Sequence, residues 1–156
     1  LLLKRELKRA GSALLAVLLA AVPAEAHFEY TRWGMTEQQV IAASRGAARA
    51  LPAQERRSAG VIEYRVTASQ RTDAGPSFTV AFGFASPGGL RCISYRADGE
   101  GAAIALRAWL IRRYGQPEAR GGQIAQGQES LSWTRPDQID AEFGTRGALA
   151  LHCQGD

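Results

Sequence analysis

Two runs of strictly alternating side chains constrain this chain more than any other feature. Ile62, Tyr64, Val66 and Ala68 interleave with Glu63, Arg65 and Thr67, and Phe78, Val80, Phe82 and Phe84 interleave with Thr79, Ala81 and Gly83. A period of two marks strands that bury one face, and the phenylalanine run is the most apolar face in the chain. The R-T-D-A-G-P stretch at 71–76 is turn chemistry. Ser86-Pro87-Gly88-Gly89 connects onward to a third strand over 90–95, which carries Cys92. Two hairpins in succession predict an antiparallel meander.

A helix precedes this meander. Thr36 followed three residues later by Gln39 is a capping box, in which threonine hydroxyl and glutamine side chain satisfy each other's backbone N–H groups. Met35 and Val40 occupy the two positions of a hydrophobic staple, and Gly34 permits a sharp turn into the helix. Val40, Ile41, Ser44, Ala47, Ala48 and Leu51 then recur at spacings of three and four, which predicts a helix running to Pro52. Residues 53–60 read as a polar loop.

The pattern then returns. Residues 100–114 predict a second helix with a stripe of Ile104, Ala108 and Ile111, widened by Ala105, Trp109 and Leu110. Arg112 and Arg113 meet the negative end of its dipole, and Gly115 and Pro117 stop it. A glycine- and glutamine-rich stretch over 118–128 reads as a mobile loop. Strands follow around Leu131 and Trp133, around Ile139, Ala141 and Phe143, and around Leu149, Leu151 and Cys153. The expectation is an α+β domain of two helix-plus-antiparallel-meander halves (αβββ-αβββ), about 27–97 and 98–156, with both helices packed on one face of the sheet.

The first 26 residues are expected to stand apart from that domain. Lys4, Arg5, Lys8 and Arg9 form a basic head, Ala13 to Val22 is an apolar run of ten residues, and Ala24-Glu25-Ala26 fits a small-x-small cleavage site. Together these are the three parts of a secretory signal peptide. The run is short of the roughly 20 apolar residues a spanning helix needs. With no Arg-Arg pair ahead of it, the general secretory route to the periplasm or beyond is expected. No cysteine lies beside the cleavage site, so no lipid anchor is predicted, and no transmembrane span remains after cleavage. Taking the leader's four basic and two acidic residues from the chain's 19 and 15 leaves 15 and 13, a net of +2. That balance, with no basic run among aromatics, does not indicate a nucleic-acid partner.

Two cysteines remain, Cys92 and Cys153. In an oxidising compartment one disulfide between them is the expectation. Both fall on the third strand of their half, where a bridge would join the halves.

Catalytic constellations are not apparent. The histidines are His27 and His152. His152 neighbours Cys153 within a strand, so the two side chains point to opposite faces. Asp137 and Asp140 flank a turn and read as solvated or capping groups. The serines sit in no nucleophile-elbow setting, and no glycine-rich phosphate loop is present. The chain is therefore read as non-enzymatic and without a cofactor. One metal alternative follows from cleavage after Ala26, which would leave His27 with a free amine. Amine and imidazole suit Cu(II), and His152 could complete the set.

Gly34-Met35-Thr36 followed by Gln39-Val40 resembles the Gly-Met-(Ser/Thr)-x-x-(Glu/Gln)-Val helix start of small bacterial envelope proteins. The best-known examples of these are the SmpA/OmlA (BamE-like) outer-membrane assembly lipoproteins, whose helix–sheet fold is shared with the β-lactamase inhibitor proteins. Arg113-Tyr114-Gly115-Gln116-Pro117 is similar to helix ends in these families. The chain departs from them in lacking an N-terminal lipidated cysteine and in its greater length. The resemblance implies a small exported domain acting by surface contacts. The functional expectation is an exported domain that binds an envelope protein or acts as a protein inhibitor. Its lead-in residues Phe28, Tyr30, Arg32 and Trp33 are the candidate binding surface, with Trp33 an exposed aromatic anchor. The alternative is an apolar-ligand binder with a pocket between the Phe78–Phe84 face and the helices.

Overall fold

The alternating runs form strands, and all of them join one sheet. A computed structural model describes residues 28–73 and 75–155; the expected leader and His27, and with them the copper alternative, lie outside the described residues. Within them the strands are β1 (Ala48–Ala50), β2 (Arg57–Ala59), β3 (Ile62–Gln70), β4 (Phe78–Ala85), β5 (Gly89–Asp98), β6 (Ala119–Gly121), β7 (Glu129–Trp133), β8 (Gln138–Gly144) and β9 (Gly147–Cys153). Their order is β1-β3-β4-β5-β9-β8-β7-β6, antiparallel at every pairing, with β2 also paired to β3. The helices are α1 (Glu37–Ala43) and α2 (Glu100–Tyr114).

This corrects the expected architecture of two helix-plus-meander halves with helices packed on the sheet. The protein is mostly a single nine-stranded antiparallel sheet, with two helices of very unequal length among the described residues. The first helix is the main reason. Its capping box forms as read, with Thr36 Oγ1 accepting from Gln39 N and Gln39 Oε1 accepting from Thr36 N. It stops at Ala43 because Arg45 and Gly46 adopt left-handed backbone, φ +51° and +93°, a helix-terminating conformation that glycine favours. Ser44 Oγ then accepts from Ala48 N and steers the chain into β1, which pairs with β3. Residues read as the helix's second half are an edge strand.

Bulges decide which side chains reach the core. The β3–β4 register shifts between Tyr64 and Val66, and the β4–β5 register shifts between Gly83 and Phe84. An extra residue in one strand reverses the alternation beyond it. Val66 and Ala68 therefore face inward opposite Phe82 and Val80, while Ile62 and Tyr64 lie over Gly83 on the outer face, where a Cβ would meet both. Likewise Leu90 faces the core opposite Phe84, and Cys92 pairs with Gly83 outside it.

The core lies between the inner sheet face and α2. Ala102, Ala103, Leu106, Trp109 and Leu110 of α2 are buried, whereas Ile104 and Ala108 are exposed, so the helix is rotated from the stripe read in the sequence. On β9 the inward residues are Ala148, Ala150 and His152, which leaves Leu149 and Leu151 outside. Phe28, Phe78, Tyr95 and Trp109 interlock with ring centroids 5.4 to 6.2 Å apart. The proposed ligand pocket beneath Phe78–Phe84 is thus occupied by side chains. No helix of the described residues is long and apolar enough to cross a membrane.

Cys92 and Cys153 form a disulfide directly across the β5–β9 pairing, Cα atoms 4.1 Å apart. A closed disulfide fits an oxidising compartment. It joins residues 61 apart in sequence, a loop whose closure stabilises the fold by about 4 kcal/mol in the chain-entropy account. Replacing both cysteines with serine is expected to lower the free energy of unfolding by about that amount. Denaturant titration of the wild type and the double variant measures it.

Candidate functional site

The turn between β7 and β8 carries Asp137, and the last inward position of β9 carries His152. Both are buried, at 5% and 0% exposure. His152 Nε2 stands 3.3 Å from Asp137 Oδ2. Its Nδ1 stands 3.3 Å from the Tyr95 hydroxyl and 3.4 Å from that of Tyr114, and the two hydroxyls are 3.4 Å apart. With Asp137 as the acceptor, Nε2–H donates to it, and when the ring is neutral Nδ1 then accepts a tyrosyl O–H. Asp137 Oδ1 also accepts from Trp33 Nε1 at 3.1 Å and from Gly155 N at 3.2 Å.

The sequence reading missed this cluster and took Asp137 for a solvated or capping turn residue. Its members come from positions 33, 95, 114, 137 and 152, which only the assembled sheet brings together. One signal was available: a histidine in phase with Ala148 and Ala150 must sit on whichever face those alanines take. The arrangement links an acid, an imidazole and two phenols, a set able to relay protons. Each imidazole nitrogen is engaged by protein atoms and the ring is fully buried, so the cluster acts on the fold. Asp137 ties the N-terminal lead-in, the C-terminal residues and β9 into one hydrogen-bonded knot.

The lead-in residues are placed differently from the surface expected for them. Phe28 is a core residue, edge-on to Phe82. Tyr30 is half-buried against it. Trp33 is half-buried, with its ring at 85° to the His152 imidazole and its N–H on Asp137. Arg32 is exposed and, with Trp33, Met35 and Gln39, lines a surface groove of about 480 Å³. Gly89 allows this docking: its φ is +68°, and a Cβ there would lie 2.2 Å from the Gly34 carbonyl oxygen.

A second groove of about 290 Å³ runs between α2 and the β6–β7 connection. Ile104 and Ile124 border it at 63% and 61% exposure, and Ala103 and Phe143 contribute to its floor. Arg107 Nε and Nη2 donate to both carboxylate oxygens of Glu129, and Arg120 adds a third contact at 3.1 Å. The bonds from Arg107 hold the Glu129 carboxyl below the usual carboxylate range. This clamp fixes α2 to β7 and so fixes the groove walls. The connection expected to be a mobile loop carries β6 and a short 3-10 turn over Ile124–Gln126. Among the described residues no group of three or more His, Cys, Asp or Glu side chains is placed to hold a metal.

All four tyrosines have raised pKa values, with burial the largest cause in each. Tyr30 is pushed up to about 12, with Glu29 adding to the effect of burial. The folded state holds these protons where the unfolded chain loses them. Their contribution to stability is therefore complete below pH 10 and is lost as pH rises from 10 through the folded values. Phenolate absorbance of the native protein at pH 10 is expected to fall well below that of the denatured chain, and melting temperature is expected to drop only above that pH. Among the described residues the buried Tyr30 hydroxyl has no hydrogen-bond partner. Tyr30→Phe removes that unpaired group and keeps the ring, so a gain of about 1 kcal/mol in stability is expected by thermal melting.

Comparison with known protein families, with characterised proteins and with solved structures returns no match.

Proposed function

We propose that this is an exported, non-catalytic domain of the bacterial periplasm that docks another envelope protein, and that the docking site is the groove between α2 and the β6–β7 connection. The observation that carries this reading is the pair Ile104 and Ile124. Two branched apolar side chains are held in solvent on opposite sides of a groove that is apolar between them and charged at its rim, with Glu100, Arg107 and Glu129 around it. An apolar centre inside a polar rim is the anatomy of a protein interface. Its volume lies at the small end of the roughly 300–1,000 Å³ that enclose whole ligands, and suits one or two inserted apolar side chains of a partner. The leader, the disulfide and the likeness to envelope assembly proteins support the compartment.

A photo-crosslinking residue at Ile124 in the exported protein is expected to give one discrete adduct with a different envelope polypeptide. The same residue at Arg112, on the exposed end of α2, is expected to give none, and Ile104→Glu to abolish the adduct from position 124. An unselective smear at both positions, or no adduct at 124, overturns the reading.

A further inference from the structure

We infer that the outer face of β9 is a self-association surface: a second copy of this chain packs on it about a twofold axis running along the strand. The observation is a pair of rows that cross the sheet. Directly opposed residues of antiparallel neighbours share a face. Glu142, Leu149 and Arg96 are consecutive across β8, β9 and β5, and so are Asp140, Leu151 and Ser94. Each row has an apolar centre, an acid on the β8 side and a hydrogen-bond donor on the β5 side. Leu149 is 54% exposed and Leu151 42%, in the middle of the sheet rather than at an edge.

A surface with leucines along one line, acids on one side and donors on the other is complementary to itself in one orientation. Rotation about an axis parallel to β9 lays Leu149 on Leu149 and Leu151 on Leu151. It also exchanges the flanks, so that Glu142 faces the second copy's Arg96, and Asp140 its Ser94. An axis across the strands would instead set Glu142 against Glu142 and Arg96 against Arg96, which like charges oppose. Sheets pack face to face about 10 Å apart, within reach of apposed leucines and of an arginine meeting a glutamate.

The neighbouring charges allow the exchange. Arg96 bonds Asp98 at 3.1 Å, but both side chains are more than two-thirds exposed, and such a pair is weakly held. Asp140 accepts from Ser132 Oγ and Gln138 Nε2 and retains acceptor capacity for a serine. Beyond β5 the two rows continue into Thr79 and Ala81 of β4, side chains too small to hold a second sheet away, while Ile62 and Tyr64 cover the face only over Gly83, past the end of these rows. An isologous contact of this kind closes as a dimer.

The test is sedimentation of the exported, oxidised protein from about 1 µM to a few hundred micromolar, the range of weak interfaces. A reversible monomer–dimer equilibrium is expected. Leu149→Asp/Leu151→Asp is expected to abolish it. Glu142→Arg and Arg96→Glu are each expected to weaken it by about tenfold, and their combination to restore it, since the swapped charges still face each other. All four positions are solvent-exposed, and retained circular dichroism checks that the variants fold. A wild type that stays monomeric throughout overturns the inference, as does a dimer indifferent to the leucine variants or a double charge swap as weak as the single ones. Ile104→Glu lies on the α2 side of the sheet and is expected to leave the dimer intact, which separates this surface from the groove proposed for an envelope partner.

Discussion

The pairing of β5 with β9 is the constraint on which the rest of the molecule depends. These two strands are far apart in sequence, yet they form the centre of the sheet, with β4, β3 and β1 on one side and β8, β7 and β6 on the other. Their register is fixed at one end by the Cys92–Cys153 bridge and runs from there to Asp98 and Gly147. A slip of one residue would turn every β9 side chain to the opposite face. His152 would leave Asp137, and the alanines beneath α2 would be exchanged for leucines. A covalent tie at one rung therefore specifies both a buried polar knot and a helix-packing surface.

The alanines explain how α2 sits. Leu106, Trp109 and Leu110 are bulky, and Phe78, Phe82 and Tyr95 already fill the inner face beside them. Interiors are close-packed, so large side chains on the helix require small ones below. Ala148 and Ala150 supply that space. The larger residues of β9 are left to the side that no part of the described fold needs to fill. Leu149 and Leu151 are thus exposed by the volume requirements of the opposite face. Two leucines left about half exposed on a rigid strand forgo apolar burial worth roughly 1 kcal/mol each relative to full coverage, which is the physical drive toward a covering surface.

Much of this was legible from the residues, and the failures share a cause. The Thr36–Gln39 cap, the bounds of α2, the six longer strands and the disulfide partners all depend on local chemistry or on parity within a strand, whereas the short β1, β2 and β6, read as helix or loop, are strands only through their pairing with β3 and β7. The last strand was read around Leu149, Leu151 and Cys153, its apolar residues, whereas packing volume turned Ala148 and Ala150 to the core. The bulges at Arg65 of β3 and Arg91 of β5 reverse the alternation inside runs that look unbroken. The helix read through Arg45-Gly46 obeyed periodicity where a left-handed turn overruled it. Asp137 lay beyond local reading altogether, since its partners Trp33 and His152 are remote in sequence.

That knot also bears on how the termini are held. Trp33 reaches Asp137 from the lead-in, and Gly155 reaches it from just beyond β9. Gly34 N donates to Leu90 O and Leu90 N donates to Met35 O, so the lead-in adds backbone bonds at the start of β5, close to the disulfide. A buried carboxylate is costly unless its oxygens are occupied, and among the described residues three donors from separate parts of the chain occupy them. The cost of burying Asp137 is offset only when the lead-in, β9 and the C-terminal residues arrive together. This makes the inner end of β9 cooperative with both ends of the described chain. It also separates the roles of the two faces: the α2 side organises the fold around a satisfied polar centre, and the outer side carries leucines and charges that the fold does not consume.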